Sequence, residues 1–117
     1  MSEADVQDAI RLAAHSLGLV LWRNNTGLAV DGLRRIRYGL ALGSSDLIGI
    51  LVPEGRFIAL EVKAPNGKGP TPEQERFLAL VRRSGGVAAV VRSVEDVQQV
   101  IVAARTAKAR DRRPGSL

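Results

Sequence analysis

Two hydrophobic periods alternate along this chain and lay out its elements. Over residues 3–17, Val6, Ile10, Ala13, Ala14 and Leu17 recur at helical spacing, predicting an amphipathic helix closed by Gly18. "LVLWR" (19–23) has strand character and runs into "NNTG" (24–27), a turn composition. "LRRIRYG" (33–39) is a weaker strand whose arginines alternate partly outward. "DLIGILV" (46–52) and "RFIALEVK" (56–63) are two apolar runs flanking a Pro-Glu-Gly turn, the pattern of a buried hairpin. "APNGKGP" (64–70) reads as a mobile loop. Thr71, Pro72 and Gln74 stand at the N-cap, N1 and N3 positions of a second helix carrying Phe77, Leu78, Leu80 and Val81 and stopped by Gly85-Gly86. "VAAVV" (87–91) is a short apolar strand, and Ser93 with Asp96 opens a third helix that fades into a basic tail. The order is read as α-β-β-β-α-β-α, a mixed α/β domain whose central sheet is flanked by helices.

The hairpin raises a chemical question. Alternation puts Asp46, Ile48 and Ile50 on one face, with Leu47 and Leu51 on the other. In the second run Phe57, Ala59, Glu61 and Lys63 share a face opposite Ile58, Leu60 and Val62. Both faces of both strands are apolar, so the sheet is expected to be covered on both sides. Asp46, Glu61 and Lys63 then lie together at one end of buried strands. A loop over Pro53-Glu54, or over Val52 to Gly55, sets Asp46 opposite Glu61, whereas a tighter loop over Glu54-Gly55 sets it opposite Lys63. Only a three-residue loop would pair Asp46 with Val62 and break the set, and apolar face matching disfavours it.

Close, partly desolvated carboxylates need a positive group between them. Lys63 offsets one charge, and a hard divalent cation such as Mg²⁺ offsets more. Two further polar residues fall on apolar stripes. Glu3 lies seven residues before Ile10, on the buried side of the first helix, while Asp5 and Asp8 fall outward. Gln74 lies three residues before Phe77 and seven before Val81, on the inward side of the second helix. Each has an ordinary explanation alone: a solvated helix start for Glu3, a capping box for Gln74, a turn for Asp46, a solvated pair for Glu61 and Lys63. Taken together, those explanations would leave the convergence of charge unexplained.

Composition narrows the classes. The 117 residues suit one domain, with 45% hydrophobic and 25% charged residues. No apolar run approaches a membrane span, and the start does not resemble a signal peptide, so a cytoplasmic domain is expected. With no cysteine and one histidine, His15, thiolate chemistry, disulfides and His-rich metal sites are excluded, and His15 receives no role. The formal charge of +5 is uneven. Residues 103–117 hold Arg105, Lys108, Arg110, Arg112 and Arg113 against Asp111, leaving the rest nearly neutral. We therefore divide the chain into a domain at 1–102 and a basic tail at 103–117. The cluster Arg34, Arg35 and Arg37 falls inside the ordered part and suits phosphate binding. Aromatics at 3% leave little for base stacking, and Trp22 and Tyr38 read as core or interface residues.

Asp46, fourteen intervening residues and then Glu61-Val62-Lys63 resemble the D-x(n)-(D/E)-x-K signature of the PD-(D/E)XK nuclease fold. With Glu3, "GSSDLIGI" (43–50), "FIALEVK" (57–63), "TPEQ" (71–74), "GG" (85–86) and "VVRSVEDV" (90–97), the chain is similar to the VRR-NUC branch over residues 3 to about 101. Ser45 stands where that family often has proline. The resemblance implies metal ligation by Glu3, Asp46, Glu61 and the Val62 carbonyl. It implies a catalytic set of Asp46, Glu61, Lys63 and Gln74, with Mg²⁺ or Mn²⁺ as cofactor and no organic cofactor. It further implies a structure-selective DNA endonuclease, acting as a homodimer on branched DNA such as four-way junctions, with no membrane partner; the charge cluster Arg34, Arg35 and Arg37 is read as the nucleic-acid-binding face. The rivals are a non-catalytic nucleic-acid-binding module, an RNA-directed nuclease of the same fold, and a plain interaction domain.

Overall fold

The computed structural model describes residues 1–111, with side chains through Ala107. Arg112 and Arg113 of the expected tail lie outside the described residues. The elements are α1 (Glu3–Ala13), β1 (Leu19–Arg23), β2 (Gly27–Asp31), β3 (Arg34–Tyr38), β4 (Leu47–Leu51), β5 (Arg56–Val62), α2 (Pro72–Arg83), β6 (Val87–Val91) and α3 (Val94–Asp111). A four-stranded mixed sheet runs β1-β4-β5-β6, with antiparallel β1/β4 and β4/β5 pairs and a parallel β5/β6 pair. The parallel pair needs a crossover, which α2 supplies.

Both faces of this sheet are covered, as the apolar alternation requires. Leu47, Leu51, Ile58, Leu60 and Val62 pack against Val6 and Ile10 of α1 and Val97 and Ile101 of α3. Ala59 and Ala88, with Ile48 and Val90, pack against Leu78, Val81 and Phe77 of α2 on the other face. The β4/β5 register is Leu51 opposite Arg56 and Leu47 opposite Leu60, so the turn spans the four residues Val52 to Gly55. One step further sets Asp46 against Glu61, the pairing expected for that loop length.

The structure departs from the sequence reading in four places. The first helix ends at Ala13, and residues 14–18 form turns instead of a further helical turn. Gly27–Asp31 is a strand, which the turn reading of 24–27 did not anticipate. It pairs with Arg34–Tyr38 in a separate two-stranded ribbon, Leu28 opposite Arg37 and Val30 opposite Arg35, so the arginine strand is not part of the central sheet. Apart from half-buried Gly27, every residue of this ribbon is exposed, so neither of its faces joins the core. Trp22 and Tyr38 are both exposed, which removes the core half of the core-or-interface reading. Finally, α3 runs without a break past residue 102. There Arg105 donates to the Glu54 carboxylate at 3.0 Å and to the Val52 carbonyl at 3.1 Å, fastening the helix to the β4/β5 turn. No helix among the described residues is long and apolar enough to cross a membrane.

Candidate active site

Glu61, 1% exposed on β5, is the buried acid among the described residues. Three neighbours determine its state. Gln74 Nε2 donates to Glu61 Oε1 at 2.8 Å, and the Lys63 ammonium lies 3.5 Å from the same oxygen. The other oxygen, Oε2, is buried and accepts no hydrogen bond. The third neighbour is Asp46, whose carboxyl is within hydrogen-bonding reach of Glu61. Burial first, and then the adjacent Asp46 charge, push Glu61 up to about 8, against the opposing pull of Lys63.

Asp46 is placed by backbone bookkeeping. The β4/β5 ladder ends at Leu47, and the next β5 donor, the Val62 N–H, is taken up by Asp46 Oδ2 at 2.9 Å. Asn24, just past β1, holds the chain leading into that position. Its side-chain amide donates to Ser44 Oγ at 2.7 Å and to the Ser45 carbonyl at 2.9 Å, and its backbone N–H donates to the Asp46 carbonyl at 2.8 Å. Gly43, at φ +83°, lies against the backbone of Glu73 so closely that a Cβ would collide, which brings this segment onto the start of α2.

Gln74 joins the capping and catalytic readings. Thr71 Oγ1 accepts from the Gln74 N–H, and Gln74 Oε1 accepts from the Thr71 N–H at 2.8 Å, completing a capping box. The same Oε1 accepts from Lys63 Nζ at 3.1 Å. Because Thr71 N–H and Lys63 Nζ are both donors, that atom must be the amide oxygen, which leaves Nε2 to donate to Glu61. One side chain therefore caps the helix and fixes the orientation of acid and lysine.

The loop after Lys63 is tied down rather than free. Arg92 Nη1 donates to the Ala64 carbonyl at 2.5 Å and the Gly67 carbonyl at 2.9 Å, and the Lys63 N–H donates to the Val91 carbonyl. Arg92 acts through backbone carbonyls and Asn24 through one carbonyl and the Ser44 hydroxyl, so no spacing signature marks them.

Of the expected site residues, Asp46, Glu61, Val62, Lys63 and Gln74 come together. Glu3 does not join them as arranged. It is exposed in the first turn of α1, three residues ahead of the first buried position, Val6. The reason is layering: α1 packs on the Ile58, Leu60 and Val62 face, whereas Glu61 projects from the α2 face. Among the described residues no three acidic, histidine or cysteine side chains gather closely enough to hold an ion. Arg34, Arg35 and Arg37 stand on the ribbon, whose two ends enter at Asn24 and leave through Gly43, beside the segment carrying Asp46.

The family model of the VRR-NUC domain matches residues 1–95. A solved structure described as a VRR_NUC domain is similar at 27% identity with a TM-score of 0.57, over 86% of this chain and 94% of that one. Among curated proteins none matches the chain.

Proposed function

The chain belongs to the VRR-NUC domain family, whose fold is that of the PD-(D/E)XK nucleases, and from that premise we propose a divalent-metal-dependent, structure-selective DNA endonuclease. The observation that carries the reading is the buried carboxylate of Glu61, with one oxygen clamped by Gln74 and the other free of any donor beside Asp46. An orphaned hard oxygen next to a second carboxylate fits Mg²⁺ or Mn²⁺, which take one or two carboxylates and keep several waters for substrate phosphates to replace. Asp46 and Glu61 would hold the ion, with the Val62 carbonyl as a further oxygen. Glu3 would have to approach from the opposite sheet face to contribute. When bound, the cation supplies a more acidic water and offsets charge on the scissile phosphate.

The chain's own residues supply the rest. Lys63 projects at the site's mouth, 14% exposed, where its ammonium can donate to a phosphate oxygen and stabilise the charge that builds as water adds to phosphorus. Gln74 holds that ammonium and Glu61 in register. Hydrolysis breaks one P–O ester bond and leaves a phosphate end and a hydroxyl end. On the resemblance, the substrate is branched DNA and the working form a homodimer.

The test is incubation of the purified protein with duplex, flap and four-way-junction DNA and with duplex RNA, in Mn²⁺ or in EDTA. Cleavage of branched DNA in Mn²⁺ alone is expected, lost in Glu61→Ala and Lys63→Ala while both variants stay folded and bind DNA. Wild-type rates in either variant would refute the assignment, and cleavage confined to RNA would move the substrate to that class.

A further inference from the structure

The three ribbon arginines differ in their surroundings. Cross-strand partners share a face, so Tyr38 with Gly27, Ile36 with Ala29 and Arg34 with Asp31 occupy one side. Arg37 with Leu28 and Arg35 with Val30 occupy the other. On the first side the basic group has an acid directly opposite and the remainder is apolar. On the second side two arginines stand with no acid among the ribbon residues; among the described residues none of the three arginines is in an ion pair, so what separates Arg34 is the acid facing it across the ribbon. At about 3.4 Å of rise per residue, their i,i+2 spacing sets them about 7 Å apart on one line.

We propose that the ribbon is a duplex-binding arm, laying its Arg35/Arg37 face on the phosphate backbone of double-stranded DNA beside the scissile bond. The proposal rests on the nuclease reading for the word scissile, and on the ribbon itself for the rest. Every residue of both strands except Gly27 is exposed, so the arm stands clear of the body and can enter a groove. A two-stranded ribbon is one of the elements that the roughly 12 Å major groove admits. The arm's roots are fixed to the chemistry: Asn24 is hydrogen-bonded to Ser44, Ser45 and Asp46, and Gly39, at φ +85°, is pressed against Asn25 and Thr26. A duplex seated on the arm is thereby held at a set distance from Asp46. Single strands are disfavoured because the arm's one aromatic ring, Tyr38, lies over Gly27 on the opposite face. A second copy is disfavoured on the arginine face because it would bury two unpaired cations, and its own arm has the same sign.

The experiment is fluorescence anisotropy of a labelled DNA duplex in EDTA across a salt series, so binding is read without cleavage. It compares wild type, Arg35→Glu/Arg37→Glu and Arg34→Glu, with Arg35→Gln/Arg37→Gln in case the reversal disturbs folding. The double variants are expected to lose about tenfold or more in affinity, with the salt slope falling by about two, while Arg34→Glu changes both little. Wild-type affinity and slope in the double variants, or an equal loss in Arg34→Glu, would overturn the proposal. So would a change in molecular mass by light scattering with duplex binding intact, which would make the arm an interface between copies. A wild-type protein that binds duplex in this way yet cuts nothing in Mn²⁺ would sink the nuclease reading and leave the arm standing.

Discussion

Leu60 and Leu33 are the same residue type in two regions built on opposite terms. Leu60, in the middle of β5, is 0% exposed between α1 and α3, whereas Leu33, at the tip of the ribbon, is 104% exposed. The central sheet owes its existence to burial on both faces, and that burial lets it hold an acid such as Glu61 at a raised pKa. The ribbon has no such support, and two-stranded hairpins are marginal alone. It persists as an extension of two anchored roots. The sheet thus provides a rigid, desolvated site, and the ribbon provides reach.

The largest effect that can test this contrast is a pair of truncations. Leu60→Ala should cost about 2–5 kcal/mol in urea unfolding, and Leu33→Ala no more than about 0.5 kcal/mol. Comparable losses would show that a partner covers the ribbon in solution. The next concerns Glu61. Its folded pKa lies above the ordinary value of 4.5, so the folded state binds more protons than the unfolded one between pH 4.5 and about 8. The metal-free protein should therefore lose stability, by a few kcal/mol at most, as pH rises through that window. Glu61→Gln should flatten the loss in thermal melts, and Mn²⁺ should reverse it at the alkaline end with release of protons. A wild-type profile without slope would contradict the raised pKa of buried Glu61.

Smaller changes probe the joints between the regions. Asn24→Asp keeps the shape but removes the donors to Ser44 and Ser45. It should weaken Mn²⁺ binding and cleavage about tenfold, as removal of groups behind a ligand does, with little shift in melting temperature. Unchanged Mn²⁺ affinity by calorimetry would reduce Asn24 to a structural role. Thr71→Ala removes only the cap hydroxyl. It should cost about 1 kcal/mol in stability and leave cleavage nearly intact, because the Gln74 amide keeps its contacts to Glu61 and Lys63.

The division between what could and could not be foreseen follows the same contrast. That Asp46 shares a face with Glu61 and Lys63 was legible because a one-residue slip would turn Leu47 and Leu60 toward the wrong layer; which of the two it opposes directly was not, because a two-residue shift keeps every side chain on its face and only the loop length decides. Strand β2 was not, because "GLAVD" is exposed on both faces and its composition reflects neither layer. Glu3 shows the limit of the helical wheel, which gives the side of the helix but not the side of the sheet on which the helix lies. Arg92 addresses backbone carbonyls, which every residue has, and Asn24 one carbonyl and the Ser44 hydroxyl, so their partners leave no imprint on side-chain spacing. Gln74 was legible as a cap and as an inward-facing polar side chain, and it makes both the capping box and the contacts to Glu61 and Lys63.

That double duty has a consequence for how the molecule fails. The amide that closes the first turn of α2 is also the clasp on Lys63 and Glu61, so fraying of a single helical turn releases both side chains while the sheet behind them is still intact. Heat or mild denaturant should silence this protein before it melts, and the silenced form should regain its competence on cooling without having to refold its core.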